Sequence, residues 1–163
     1  MRAWRERNAE LAALFNPAFC GIILHTGIAQ YQKHDERGMP FPLVFLLLPV
    51  ALSSNLRMLL PSTARTPLHL WLAREPQLKI RLPNRVMNLE AITRESVLFL
   101  IYRQRLALVG DRVLKSKSIR GLTRLKDESS ELADFIEGAR IIGNMFGKVG
   151  DAQTIFTSLG INI

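Results

Sequence analysis

The stretch SELADFIEGARIIGNMFGK, residues 130–148, decides the fold class of this chain. Its apolar and small residues recur three, four and seven positions apart, the spacing that places side chains on one face of an α-helix. The members of this face are Leu132, Phe135, Ile136, Ala139, Ile142, Gly143 and Phe146. Ala139, Gly143 and Gly147 also form a column of small residues, which permits another helix to approach closely. The pattern predicts internal helix packing, with a partner interface as the alternative.

A second helix start lies at Asn16-Pro17. The Asn side chain can accept from the free backbone N–H groups of a first turn, and proline is tolerated at the first helical position. We predict that this helix ends before the charged loop 33–40. A further helix is predicted over residues 1–15, which we expect to be mobile alone or to dock on a partner.

The middle of the chain is predicted to be helical and buried. Residues 43–60 are expected to form a helix that is bent or restarted around Pro49 and residues 53–55. Its uninterrupted apolar run is far shorter than the roughly 20 residues that cross a bilayer, so no membrane partner is expected. Thr66-Pro67 repeats the pattern of a capping residue followed by proline and opens a shorter helix.

The last predicted helix covers residues 151–160 and ends at a glycine. Cys20 is the only cysteine, so an intrachain disulfide is impossible. A single thiol is typical of a reducing compartment, and we therefore predict a cytoplasmic location.

One stretch before the helix predicted over residues 130–148 has the pattern of a β-hairpin. Gly110-Asp111 separates two short runs that contain apolar residues, and glycine readily adopts the positive φ that a two-residue hairpin turn requires. The sequence therefore predicts a β-hairpin over about residues 106–116.

The segment before this hairpin suggests a winged helix. Asn84 is predicted to cap a short helix, and Thr93 to begin a second one. The order of short helix, short helix and hairpin is that of a winged-helix unit, which we assign to residues 84–117. The predicted fold is mainly α: one compact helical domain, residues 1–163, with a winged-helix-like unit that carries one β-hairpin.

Positive charge is concentrated in and after the hairpin. The net charge is +8, and residues 103–126 contribute eight basic residues against one acidic residue, Asp111. Such a row can neutralise nucleic-acid phosphates without reading sequence. The candidate nucleic-acid-binding residues are Arg112, Lys115, Lys117, Arg120, Arg124 and Lys126. The alternatives are contact with an acidic partner surface and a purely solvated face.

Catalytic, cofactor and metal motifs are missing from the sequence. The stretch GNMFGKVG, residues 143–150, lacks the glycine spacing of a phosphate loop and the Ser or Thr that must follow its lysine. His25, His34, His69 and Cys20 do not have the spacing of metal ligands. We therefore expect no enzymatic activity, no cofactor and no metal.

The order of several segments resembles a known family. The segments are NPAF (16–19), PLVFLLLPVAL (42–52), LPSTART (60–66), LHLWLAREPQL (68–78), TRESVLFLIYRQRLALVG (93–110) and TIFTSLGI (154–161). Together they resemble the middle component of bacterial three-component ABC systems, which include the Lamassu-type anti-phage defences. The order and spacing of the segments carry the resemblance over residues 16–161.

The resemblance implies a non-enzymatic accessory subunit without catalytic residues. Such a subunit links an SMC- or Rad50-like ABC ATPase to a separate effector, often a nuclease, in a DNA-sensing defence complex. Double-stranded DNA is then a partner through the complex. The alternative reading is a free-standing winged-helix transcription regulator, which should form a symmetric dimer and bind a palindrome.

Overall fold

The computed structural model describes residues 16–161, except for the side chains of Leu125, Lys126 and Glu128. The helix predicted over 1–15 lies outside the described residues. The helices are α1 (Pro17–Tyr31), α2 (Phe41–Val44), α3 (Leu47–Leu52), α4 (Ser54–Arg57), α5 (Leu68–Arg74), α6 (Leu78–Tyr102), α7 (Leu122–Glu128), α8 (Ser130–Val149) and α9 (Ala152–Leu159). The strands are β1 (Met39–Pro40), β2 (Leu106–Val109) and β3 (Arg112–Lys115). The prediction of a mainly helical fold with a β-hairpin is confirmed.

Helices α1 and α8 pack with their backbones in contact at the centre of the fold. The predicted apolar face of α8 is buried along its whole length. A Cβ atom added to Gly143 would collide with the carbonyl group of Gly27, and one added to Gly147 would lie 2.9 Å from the carbonyl oxygen of Tyr31. The column of small residues therefore serves internal packing, because only glycine leaves room for α1 at positions 143 and 147.

The two predicted proline-containing helix starts have different outcomes. At the first, Asn16 Oδ1 accepts from the backbone N–H of Ala18 at 2.8 Å, so the predicted cap of α1 is confirmed. At the second, Pro67 has an extended backbone (φ −62°, ψ 147°) and precedes the first helical residue. None of the described side chains caps the first turn of α5, and the predicted cap at Thr66 is wrong.

The buried segment 43–60 is divided into three short helices. The break between α3 and α4 at Ser53 is where a restart was predicted. A second break, at Phe45 and Leu46, precedes Pro49 and places that proline in the first turn of α3. Proline is tolerated there because the N–H it lacks has no partner within the helix.

The prediction of two short helices before the hairpin is wrong. Residues 78–102 form a single helix of 25 residues, α6, which continues through Pro83. Asn84 and Thr93 lie inside this helix and cap nothing. The winged-helix-like unit assigned to residues 84–117 depended on two separate helices, and it remains unconfirmed.

The hydroxyls of Thr93 and Ser96 find partners inside α6, so neither residue has to end the helix. The hydroxyl of Thr93 donates to the carbonyl of Leu89 at 2.8 Å, and that of Ser96 donates to the carbonyl of Ile92 at 2.7 Å. Both hydroxyls are thus satisfied four residues back along the helix, as Ser and Thr often are inside helices. The inward face of α6 is continuous as well, with Leu78, Leu82, Leu89, Ile92, Val97 and Leu100 all buried.

The sheet has the strand order β1–β3–β2 and is antiparallel throughout. In the hairpin, Val109 pairs with Arg112 across the Gly110-Asp111 turn, as predicted, and Gly110 has a φ of 61°. The pairing of β1 with β3 was not predicted from the sequence. It is permitted by Gly38, whose φ is 94°.

Within residues 16–161, we find no helix that is both long and apolar enough to span a membrane.

Candidate nucleic-acid interface

Arg112, the first of the predicted basic residues, is fastened to the loop that precedes β1. Its Nη1 donates to Asp35 Oδ2 at 2.9 Å and to the carbonyl of Gly38 at 2.7 Å. Only 20% of the side chain is exposed. These contacts give Arg112 a structural role, because they tie the hairpin to the end of α1. The linear sequence does not reveal this pairing, since Asp35 lies 77 positions away.

Asp35 is the centre of a small charged cluster. Arg37 donates to both of its carboxylate oxygens at 2.9 Å, and Arg112 donates to one of them. These contacts, those of Arg37 above all, lower the pKa of Asp35 to about 2. The carboxylate is therefore ionised at any pH near neutrality and neutralises part of the positive charge near the hairpin.

The chain that leaves β3 is bound to α1 and to the end of α6. The backbone N–H of Ser116 donates to the carbonyl of Arg105 at 2.9 Å, and Arg105 Nη1 donates to the carbonyl of Ser118 at 2.9 Å. His25 of α1 donates from Nε2 to the carbonyl of Lys117 at 2.9 Å, since a carbonyl can only accept. The start of the basic stretch therefore has a defined path across the surface.

His25 is buried beneath this path, and its environment disfavours a positive charge. Burial lowers the pKa of its imidazole, and the nearby cations of Lys115 and Arg105 lower it further. The hydrogen bond to the Lys117 carbonyl acts in the opposite direction and is outweighed. The neutral imidazole thus serves as a hydrogen-bond donor that positions the basic stretch.

The two lysines beside His25 differ in exposure and in their hydrogen bonds. Lys115 is half-buried, and its backbone N–H donates to Gln32 Oε1 at 2.8 Å. Lys117 is exposed, and its Nζ donates to Gln104 Oε1 at 3.0 Å. A neutral amide partner leaves the positive charge of Lys117 available to an anion.

The remaining candidates follow on α7 and just before it. Arg120 and Arg124 are exposed, whereas the side chain of Lys126 lies outside the described part of the chain. Arg105 was not among the six predicted residues, yet the structure brings it together with Lys115 and Lys117 around His25. The signal that could have found Arg105 was its inclusion in the basic stretch 103–126.

This geometry suits contact with a row of phosphates. Arg105, Lys115 and Lys117 lie close together where the hairpin meets the C-terminus of α6. Their N–H donors and charges can bind phosphate oxygens without distinguishing bases. Arg112 differs from them because its positive charge is paired with the Asp35 carboxylate.

The single cysteine is buried, and its thiol is not reactive near neutral pH. Cys20 is fully buried, and burial raises the pKa of its thiol to about 12. Across residues 16–161, no group of three or more His, Cys, Asp and Glu side chains is placed to hold a metal ion.

A family model described as ABC-three component (ABC-3C) system Middle Component 3 matches residues 4–163. The chain belongs to this family. The resemblance to middle components that the sequence suggested is therefore confirmed. As a member of the Middle Component 3 family, the chain is an accessory component of an ABC-three component system, and its partners belong to that system.

Neither a curated protein nor a solved structure matches this Middle Component 3 chain.

Proposed function

We propose that this chain is a non-enzymatic subunit that links an SMC- or Rad50-like ABC ATPase to an effector, often a nuclease, in a cytoplasmic anti-phage defence complex of the Lamassu type. The observation that carries the proposal is the family match over residues 4–163. A middle component of a three-component system functions through its partners, so its surfaces are expected to be built for binding.

The basic stretch 103–126 supports a second part of the proposal, which is contact with double-stranded DNA in the assembled complex. Lys115, Lys117, Arg120 and Arg124 form the proposed contact, and Arg112 holds the hairpin in place. Such a contact would be independent of sequence, because phosphate neutralisation carries no base information. It would help a DNA-sensing ATPase to hold duplex DNA.

Co-expression tests the assembly directly. We expect the reading frames beside this one to encode a long coiled-coil ATPase and an effector, and a tagged chain should purify with both. Recovery of a monodisperse chain that does not bind the ATPase would contradict the proposal.

Turnover assays test the non-enzymatic role. The purified chain alone should hydrolyse neither ATP nor DNA. Hydrolysis that disappears in a point variant of this chain would show that it carries an active site of its own.

Replacing Lys115, Lys117, Arg120 and Arg124 by Ala tests the DNA contact in the assembled complex. With four phosphates neutralised, the logarithmic salt slope of DNA binding should be about −4, at roughly 0.9 per phosphate. The variant should lose most of this slope and still assemble with the ATPase. Loss of assembly first would indicate an acidic partner surface instead, and no change in either property would indicate a solvated face.

A further inference from the structure

Helix α6 carries a band of large apolar side chains on its outward face. Ile80, Met87, Leu98 and Tyr102 are between 65% and 84% exposed. They are seven, eleven and four positions apart, which are close to whole helical turns, so they lie on one line, together with the exposed Asn84 and Arg94 at two intervening positions. Ala91 continues this line and is also exposed. We call these five residues the α6 band; from first to last it is about 33 Å long at 1.5 Å per residue.

The α6 band differs from ordinary exposed apolar residues. Isolated apolar side chains on a surface need no explanation, whereas several large ones aligned along one face of a helix are typical of a surface that binds another helix. The opposite face of α6 already contributes to the core through residues such as Leu82, Leu89 and Leu100. The band is therefore not required by the fold of residues 16–161.

Positive charge borders the α6 band. The charged residues of α6 and its C-terminal cap are Lys79, Arg81, Arg85, Glu90, Arg94, Glu95 and Arg103. Arg94 and Glu90 form an ion pair at 2.9 Å. In the described part of the chain, no carboxylate lies within 4 Å of Lys79, Arg81 or Arg85. At about 100° per residue, Lys79 and Arg81 flank Ile80 on either side, whereas Arg85 lies further round the helix and Arg94 lies on the line of the band itself. The N-terminal border of the band therefore keeps a net positive charge from Lys79 and Arg81.

A polar cleft opens beside the N-terminal half of the band. It has a volume of about 480 Å³ and is lined by Leu52, Ser53, Ser54, Asn55, Arg85, Asn88 and Leu89. Asn88 lies three residues before Ala91 of the band, so the cleft and the band are neighbours on the helix surface. A guanidinium with amide and hydroxyl groups around it is a suitable site for a carboxylate side chain.

Charge decides which occupant fits the band. A second copy of this chain would bring a net positive border against another net positive border, which is unfavourable. A helix with an apolar stripe bordered by Asp and Glu would instead bury the band, pair with Lys79 and Arg81 at its border, and place one carboxylate against Arg85 in the cleft.

We propose that the α6 band is the docking surface for an amphipathic, acid-bordered helix of another subunit of the three-component system. This inference rests on the proposed function, because it requires a partner subunit. It adds the surface that this chain uses and the chemistry of the segment that it binds.

The first test compares two glutamate substitutions in the complex co-expressed with the neighbouring ATPase and effector. Met87→Glu places a carboxylate within the band, and Met58→Glu makes the same change at the end of α4, where the methionine is equally exposed (77% against 73%). Met87→Glu should weaken binding of the partner by about 10- to 100-fold, the range of an interface hot spot. Met58→Glu should change it by less than about twofold. Equal unfolding temperatures of the two variants show that both are folded.

The second test identifies the segment that covers the band. A photoreactive benzoylphenylalanine at Met87 in the assembled complex should crosslink to an acid-bordered helix of the ATPase or the effector, as mapped by mass spectrometry. A crosslink to a second copy, to residues 1–15 of this chain, or to a partner segment without acidic residues would overturn the inference.

The two proposals fail in different ways. If the wild-type chain assembles but Met87→Glu assembles equally well, the α6 band is not the docking surface, and the proposed function stands. If the wild-type chain binds neither the ATPase nor the effector, the proposed function is overturned together with the partner named here.

Discussion

The two longest helices of this protein use their apolar residues in opposite ways. Helix α8 buries eleven of its 20 residues and places its charged residues on the outer face. Helix α6 buries eight of 25, and large apolar side chains such as Ile80 and Met87 remain exposed on its other face. The apolar face of α8 is buried by packing within this chain, whereas α6 exposes more apolar surface than the fold requires. Folding therefore accounts for the pattern of α8, and we attribute the exposed apolar side chains of α6 to the proposed docking surface.

The largest expected effect lies where α8 meets α1. Gly143→Ala should lower the free energy of unfolding by about 3 kcal/mol, at the upper end of the overpacking range, because the new methyl group would collide with the backbone of Gly27. Gly138→Ala on the same helix is the matched control. Its Cβ would lie 3.4 Å from Leu60 Cδ1, an ordinary contact, so its stability should change by less than about 1 kcal/mol. Urea denaturation measures both, and equal stabilities would contradict the close approach of α1 and α8.

The second effect separates structural from surface arginines in the basic stretch. Arg112→Met should destabilise the protein by about 2 kcal/mol, because it removes the hydrogen bonds to Asp35 and Gly38 and leaves their oxygens without this donor. Arg120→Met removes the same charge from an exposed site and should change stability by less than about 0.5 kcal/mol. Thermal denaturation of both variants measures this difference in stability. If Arg120→Met proves as destabilising as Arg112→Met, the distinction fails.

The third effect is a pH dependence from Asp35. Its folded-state pKa of about 2 lies below the ordinary value of 3.8, so its contribution to stability is present above about pH 4 and is lost as the pH falls towards 2. Asp35→Asn should therefore be less stable than the wild type at pH 7, by about 1 kcal/mol, the size of a typical net hydrogen-bond contribution. The gap should close between pH 4 and pH 2 in denaturation experiments. A gap that stays constant over this range would contradict the ionised cluster.

The smallest effect concerns His25 beneath the basic stretch. Because its folded-state pKa is lowered, the unfolded chain takes up a proton more readily, and stability should decrease as the pH falls below about 6.5. His25→Gln keeps an N–H donor for the Lys117 carbonyl but cannot titrate, so this part of the pH dependence should disappear. Unfolding temperatures measured between pH 7.5 and pH 5 should show it, and an identical pH profile for both proteins would argue against a buried, neutral imidazole.

Features set by neighbours in sequence could be predicted, and those set by the tertiary fold could not. The cap at Asn16, the Gly110-Asp111 turn and the α8 face depend on spacing and on conformational preference within a few residues. Thr93 looked like a helix start because Thr can cap, yet its hydroxyl bonds to the Leu89 carbonyl inside α6. Both uses satisfy the same hydroxyl, and packing of the inward face of α6 decides between them.

The same distinction holds for the candidate site. Its net positive charge could be read from composition, because residues 103–126 are almost free of acids. That Arg112 binds Asp35, however, depends on the pairing of β1 with β3, which brings the loop before β1 to the hairpin. A two-residue strand such as Met39–Pro40 has no sequence pattern of its own, so neither the strand nor the ion pair could be predicted.

Sedimentation velocity shows whether this chain acts as a bound subunit of its system. The purified chain is titrated into the purified ATPase encoded beside it, at micromolar concentrations and physiological salt. We expect one faster boundary that contains both proteins and saturates at a fixed stoichiometry. Two independent boundaries at every concentration, with a correctly folded chain, would contradict it.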